Sequence, residues 1–161
     1  MAIIKLVKEQ YPNKGDVYKL AYYLGRYNKC PNEIAGGNNI MCTLAENPDF
    51  VADQFVTIQH GQRFTRRLYH VVVSFEEGLD DANNRFAFNV GKCICNLYPD
   101  YQSAFVIHQD TNLIHIHVIF NNCPIYPEKP KLTCLFNRLT IQNLVENMIF
   151  NHLGIVVNEK G

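Results

Sequence analysis

Three of the chain's six histidines fall within ten positions, in the stretch "FVIHQDTNLIHIHVIFNN" at residues 105–122. The stretch otherwise reads as buried strand. Side chains two apart on a strand share a face, with Cα atoms roughly 6.5 Å apart. His115 and His117 therefore project side by side, while Ile116 between them faces the opposite way, into the core under the helices. His108 ends the preceding strand of the same hairpin and reaches the same face. Three convergent imidazoles make a facial metal site with positions open for substrate. Scattered histidines on a solvent face are the plainer reading of any one of them. The pattern His-x6-His-x-His across a hairpin favours metal. Asp110 stands two residues after His108, where a carboxylate can accept the outer N–H of a ligating histidine. Ordinary turn chemistry explains the same residue.

Other reactive side chains cluster in two places. "VYKLAYYLGRYNK", residues 17–29, carries Tyr22, Tyr23 and Tyr27. At roughly 100° per residue, Val17, Leu20, Ala21 and Leu24 form one helical stripe. Tyr23 falls on its edge, held yet reachable, Tyr22 on the opposite face, and Tyr27 nearer the stripe. "GQRFTRRLYH" places Arg63, Arg66 and Arg67 before a strand on which His70, Val72 and Ser74 share a face. The arginines suit phosphate contacts or a solvated surface equally well.

The elements that must position these groups follow from periodicity. "IIKLVK" alternates as a first strand. "GDVYKLAYYLGRYNK" is a helix with Asp16 as its cap. "CPNEIAGGNNIMCTLAENP" is a long irregular connection, and "DFVADQFVTIQHG" a short helix. "RLYHVVVSFE" is a strand and "DDANNRFAFNVGKCICNLYP" a helix ending before Pro99. "SAFVIHQ" and "NLIHIHVIFN" form a hairpin joined by a tight "DTN" turn. "CPIYPEKPKL" is a Pro-rich loop, and "RLTIQNLVENMIFNHLG" a closing helix that ends at Gly154. The order predicts an α+β, two-layer sandwich: a central antiparallel sheet with helices packed on one face.

The 161 residues suffice for one domain with its own core. Lysine plus arginine and aspartate plus glutamate both number 15, so net charge is zero. That argues against a strongly basic nucleic-acid binder without excluding a local basic patch. No apolar run approaches the roughly 20 residues of a membrane helix. The N-terminus lacks a secretory pattern, so the expected location is the cytoplasm, away from any membrane. The six cysteines are then reduced thiols. Cys93 and Cys95, two apart on a helix, diverge and serve packing rather than metal.

Two histidines around one hydrophobic residue in a central antiparallel strand resemble the HUH endonucleases, which cut single-stranded DNA with a metal and a tyrosine. Within that class the chain resembles the plasmid and conjugative relaxases, or mobilisation proteins. "HQDTNLIHIHVIFN" matches their His-x-Asp-x4-His-x-His-x3-Asn motif. "YHVVVSFEEG" matches their strand ending His-x-x-x-Ser-Phe, with Glu-Glu-Gly in place of the usual Pro-Gly-Glu-like turn. "LAYYL" matches their N-terminal tyrosine context. The closing helix has no tyrosine, unlike replication initiators and small transposases. The resemblance spans residues 16 to 121.

It implies a metal-dependent nick at a plasmid or mobile-element transfer origin (oriT), with a covalent 5′-phosphotyrosine intermediate and later rejoining. It assigns the nucleophile to Tyr23, with Tyr22 and Tyr27 as alternatives, and makes Asp110 the second catalytic residue. Its metal ligands are His108, His115 and His117, holding Mg, Mn or Zn. Ser74 contacts DNA, together with Arg63, Arg66 and Arg67, and His70 and Asn121 support the site. Partners are single-stranded DNA at the origin and accessory mobilisation and coupling proteins. Two other readings stay open. One is a non-catalytic HUH-like module that binds an origin; the other is an unrelated three-histidine metalloenzyme. The chain is read as one catalytic domain over 1–161, either a minimal protein or part of a longer relaxase.

Overall fold

The computed structural model describes residues 2–26, 34–75, 81–109 and 114–160, with side chains given outside 81–83 and 153–160. The elements run β1 (Ala2–Leu6), α1 (Lys14–Leu24), β2 (Ala35–Asn38), α2 (Pro48–Gln59), β3 (Leu68–Phe75), α3 (Asp81–Cys95), β4 (Tyr101–His108), β5 (His115–Pro124), a short 3-10 turn (Leu132–Cys134) and α4 (Arg138–Lys160). The five strands form one antiparallel sheet in the order β1-β3-β5-β4-β2. The histidine-rich strand β5 lies at its centre. The α+β class and the antiparallel hairpin stand as the sequence implies.

Alternation along β5 divides the molecule. Ile116, Val118 and Phe120 are fully buried on one face with Val71, Val73, Phe105 and Ile107, under Val90 and Ile94 of α3 and Ile141 and Val145 of α4. Each such side chain contributes roughly 1.5–3 kcal/mol. Ile119, Ala104, Val106 and Leu68 point the other way, where Val17, Leu20 and Leu24 of α1 and Val51 and Phe55 of α2 cover them. The structure thus adds a second helical layer to the single one expected. That layer, α1 with α2, lies on the histidine face.

Local chemistry explains the boundaries. Asn13, not Asp16, is the N-cap of α1. Asp16 sits three residues in and accepts from the Asn13 N–H at 2.9 Å, as in a capping box. Asn47 caps α2 by accepting from the Phe50 N–H at 3.1 Å, with Pro48 following. β2 lies inside the stretch read from sequence as irregular. Its "AGGN" has little strand propensity, but the sheet wants glycine there: a Cβ on Gly37 would stand 2.3 Å from the Ser103 carbonyl oxygen, and one on Gly36 2.8 Å from the Phe105 ring. α4 continues past Gly154 to Lys160, since a glycine weakens a helix by only about 1 kcal/mol and need not end it. The "DTN" turn lies outside the described residues.

Candidate active site

Register brings the histidines together. β4 pairs with β5 so that His108 is opposite His115 and Val106 opposite His117. On the other side, Ser74 pairs with His115, Val72 with His117 and His70 with Ile119. His70, Ser74, His108, His115 and His117 therefore share one face, with His70 diagonal to His117 across the β3–β5 ladder. His108 and His70 are buried, and His115, His117 and Ser74 are half-buried.

The rings contact one another. His108 and His117 have centroids 4.3 Å apart, and His70 and His117 5.2 Å. His70 Nε2 lies 3.0 Å from His117 Nδ1. The Tyr11 hydroxyl lies 3.0 Å from His70 Nδ1. His108 Nε2 lies 2.8 Å from the Leu24 carbonyl oxygen. A carbonyl only accepts, so Nε2 of His108 carries the proton. Burial, reinforced by repulsion from His108 and Lys5, pushes the His70 pKa down to about 4. His70 is thus a neutral imidazole near pH 7. Burial, reinforced by the Glu9 carboxylate, raises Tyr11 to about 12, so its phenol keeps its proton.

The bond to Leu24 ties the sheet to the last turn of α1. Leu24 O is among the helix-terminal carbonyls that lack an intrahelical partner, and His108 supplies one. Gly25 follows, and a Cβ there would stand 2.3 Å from the Leu44 carbonyl oxygen; only glycine permits this approach. Tyr23, one residue before Leu24, is 42% exposed and presents its ring edge-on to His108 at 6.3 Å. A cleft of about 560 Å³ opens between α1, the segment after β1 and β3, with Tyr11, Asp16, Lys19, Tyr23 and His70 on its wall. Tyr22 points away, 59% exposed, with the Arg26 guanidinium over its ring at 5.7 Å. Tyr27 and Asp110 lie outside the described residues.

The remaining candidates sit elsewhere. Arg66 donates to the carbonyls of Glu9 (3.2 Å) and Leu68 (3.1 Å). Arg67 donates to the Pro12 carbonyl (3.0 Å) and Gln59 Oε1 (2.8 Å). Both guanidiniums fasten loops at the start of β3, and only Arg63 of the three is exposed. That end of β3 is roughly 20 Å of strand away from Ser74. Asn121 is fully buried in a network with Gln102, Gln59 and the Phe55 carbonyl, which joins α2 to the sheet. Sequence reasoning missed Tyr11. No local signal marks it, because its partner His70 lies 59 residues further along the chain.

Among the described residues, no three His, Cys, Asp or Glu side chains gather as a ready-made metal site. The donor chemistry of two of the expected ligands nevertheless fits a divalent cation. Nε2 of His108 and Nδ1 of His117 have protein partners, and partners of that kind are the habit of metal-bound histidines. His115 stands on the same face beside them. Among the described residues no helix is long and apolar enough to cross a membrane. The described cysteines are free, and Cys95 is buried in the core as expected.

No curated protein and no solved structure matches the chain. A family model does match: the MobA/VirD2-like relaxase nuclease domain, over residues 23–132. The match begins at Tyr23 and takes in His70, Ser74 and the whole β4–β5 hairpin. It covers well over half of the 161 residues, so this chain belongs to the MobA/VirD2-like relaxase nuclease-domain family, whose members nick DNA at a transfer origin.

Proposed function

We propose that the chain nicks and rejoins one DNA strand at the transfer origin of a plasmid or other mobile element, with Tyr23 as the nucleophile. The observation that carries this reading is the end of α1. His108 holds the Leu24 carbonyl while Tyr23 meets the His108 ring edge-on at the mouth of the cleft. A nucleophile on a tethered helix end is pre-positioned, and fixed geometry is a large part of catalysis.

In the reaction the Tyr23 phenol loses its proton and its oxygen attacks the scissile phosphorus. The P–O3′ bond breaks, and the 3′ oxygen leaves with a proton as a free hydroxyl. The product is a 5′-phosphotyrosyl ester. One phosphodiester replaces another, so the bond energy is kept for the reverse reaction. His108, His115 and His117 would hold a divalent cation (Mg, Mn or Zn), with Asp110 orienting a ligand. When bound it supplies polarisation of the phosphate oxygens. Ser74, on the histidine face beside His115, contacts the strand near the cut, and Arg63 contacts a phosphate farther along. Arg66 and Arg67 hold the loops that flank this path. Accessory mobilisation and coupling proteins deliver the origin.

The test is a denaturing gel. Labelled single strands from transfer origins on the protein's own replicon are incubated with protein and Mn²⁺ or Mg²⁺. A covalent adduct present in wild type and absent in Tyr23→Phe is the expected result. An adduct that persists moves the nucleophile to Tyr22 or Tyr27. No adduct on any origin strand favours an origin-binding module without catalysis.

A further inference from the structure

The geometry points to Tyr11 and His70 as a hydrogen-bonded relay that fixes the ring orientation of His117 and can accept the proton of its Nδ1, making them positioning residues for the nicking site. The inference rests on the proposed role of His117 as a cation ligand.

Three groups stand in a line: the Tyr11 hydroxyl, 3.0 Å from His70 Nδ1, and His70 Nε2, 3.0 Å from His117 Nδ1. A neutral imidazole has one N–H and one lone pair, so the line has two self-consistent states. In the first, Tyr11 donates to His70 Nδ1 and His70 Nε2–H donates to His117 Nδ1. The His117 proton then lies on Nε2, which has no lone pair to offer. In the second, His117 Nδ1–H donates to His70 Nε2 and His70 Nδ1–H donates to the tyrosine oxygen. Only this state leaves His117 Nε2 able to bind a cation. His70 is thus to His117 what the Leu24 carbonyl is to His108. Both partners take the nitrogen that does not ligate.

Tyr11 supplies an independent observation. It is buried yet has φ +52°, a left-handed conformation that is uncommon for a bulky residue. The backbone after β1 accepts that conformation in the place where it turns the phenol inward onto His70. A hydroxyl also suits the position because it both donates and accepts, so either state of the relay is satisfied. A carboxylate there would accept only and lock one state.

Mn²⁺ affinity and the protonated nitrogen of His117 test the relay without an activity assay. His70→Ala is expected to weaken Mn²⁺ binding about 10- to 100-fold, the usual effect of losing a partner behind a ligand. His70→Gln, whose amide oxygen can accept from His117 Nδ1–H, is expected to recover most of the affinity. Thermal melts check that each variant is folded. In Zn²⁺-loaded wild type, two-bond ¹H–¹⁵N correlations are expected to place the His117 proton on Nδ1. Wild-type affinity in both His70 variants, or a proton on His117 Nε2 in the loaded protein, would overturn the relay alone. If wild type binds no Mn²⁺, or His117→Ala binds it as wild type does, the cation reading itself fails and the relay with it.

Discussion

His70 separates two jobs that histidines do in this site. It is buried and neutral, whereas His115 and His117 are half-buried at the open side of the sheet. Its depressed pKa has a consequence for stability. The unfolded chain takes up a proton near pH 6.5 and the folded chain only near 4. Between those values the unfolded state binds more protons, so stability falls as pH falls and is unaffected by this group above the window. The full span corresponds to roughly 3 kcal/mol. Urea melts of the metal-free protein from pH 7.5 to 4.5 should show this decline, and His70→Phe should flatten it. The arginines separate in the same way. Arg67→Ala removes hydrogen bonds to Pro12 and Gln59 and is expected to destabilise by about 1–3 kcal/mol. Arg63→Ala should leave the melting temperature unchanged and weaken single-strand binding, with a salt slope smaller by about 0.7.

At the scale of elements, the last turn of α1 decides where Tyr23 stands. It is held by His108 below, by Gly25 against Leu44, and by Tyr18, which donates to Asp53 of α2. Gly25→Ala keeps an allowed backbone angle but drives a Cβ into the Leu44 carbonyl. Such overpacking is expected to cost about 1–3 kcal/mol and to displace Tyr23. The expected readout is a slower formation of the covalent adduct, in a protein that still folds. Tyr18→Phe should weaken the α1–α2 contact by about 1 kcal/mol, measured by chemical denaturation.

Across the whole molecule, helices cover both faces of the sheet, but the histidine face is covered unevenly. α1 and α2 lie over β4 and β5, while on the β1 side Ile3 and Lys5 are exposed beside Ser74 and Val72. With zero net charge, the overall field gives DNA no net attraction, and the proposed nicking role puts that attraction on local groups. Lys5, on that face, and Lys19, on the cleft wall, should lose reactivity toward a lysine-acylating reagent when origin single strand is bound. Lys131, whose ammonium donates to the Arg63 carbonyl, should not.

The sequence by itself determined the hairpin and the division of β5 into an imidazole face and an apolar face, because a two-residue period is a property of the strand alone. It likewise determined the stripe of α1 and the edge position of Tyr23, which follow from the helical repeat. Tertiary structure decided what those faces meet. β2 was illegible because its glycines serve close packing against Phe105 and Ser103, a need that exists only once the sheet is assembled. The same holds for the second helical layer, for the commitment of Arg66 and Arg67 to loop carbonyls, and for the bond between His108 and the end of α1. Tyr11 meets His70 across 59 residues of chain. No local pattern encodes such a contact; it arises from the register of β1 on β3 and from the turn that follows.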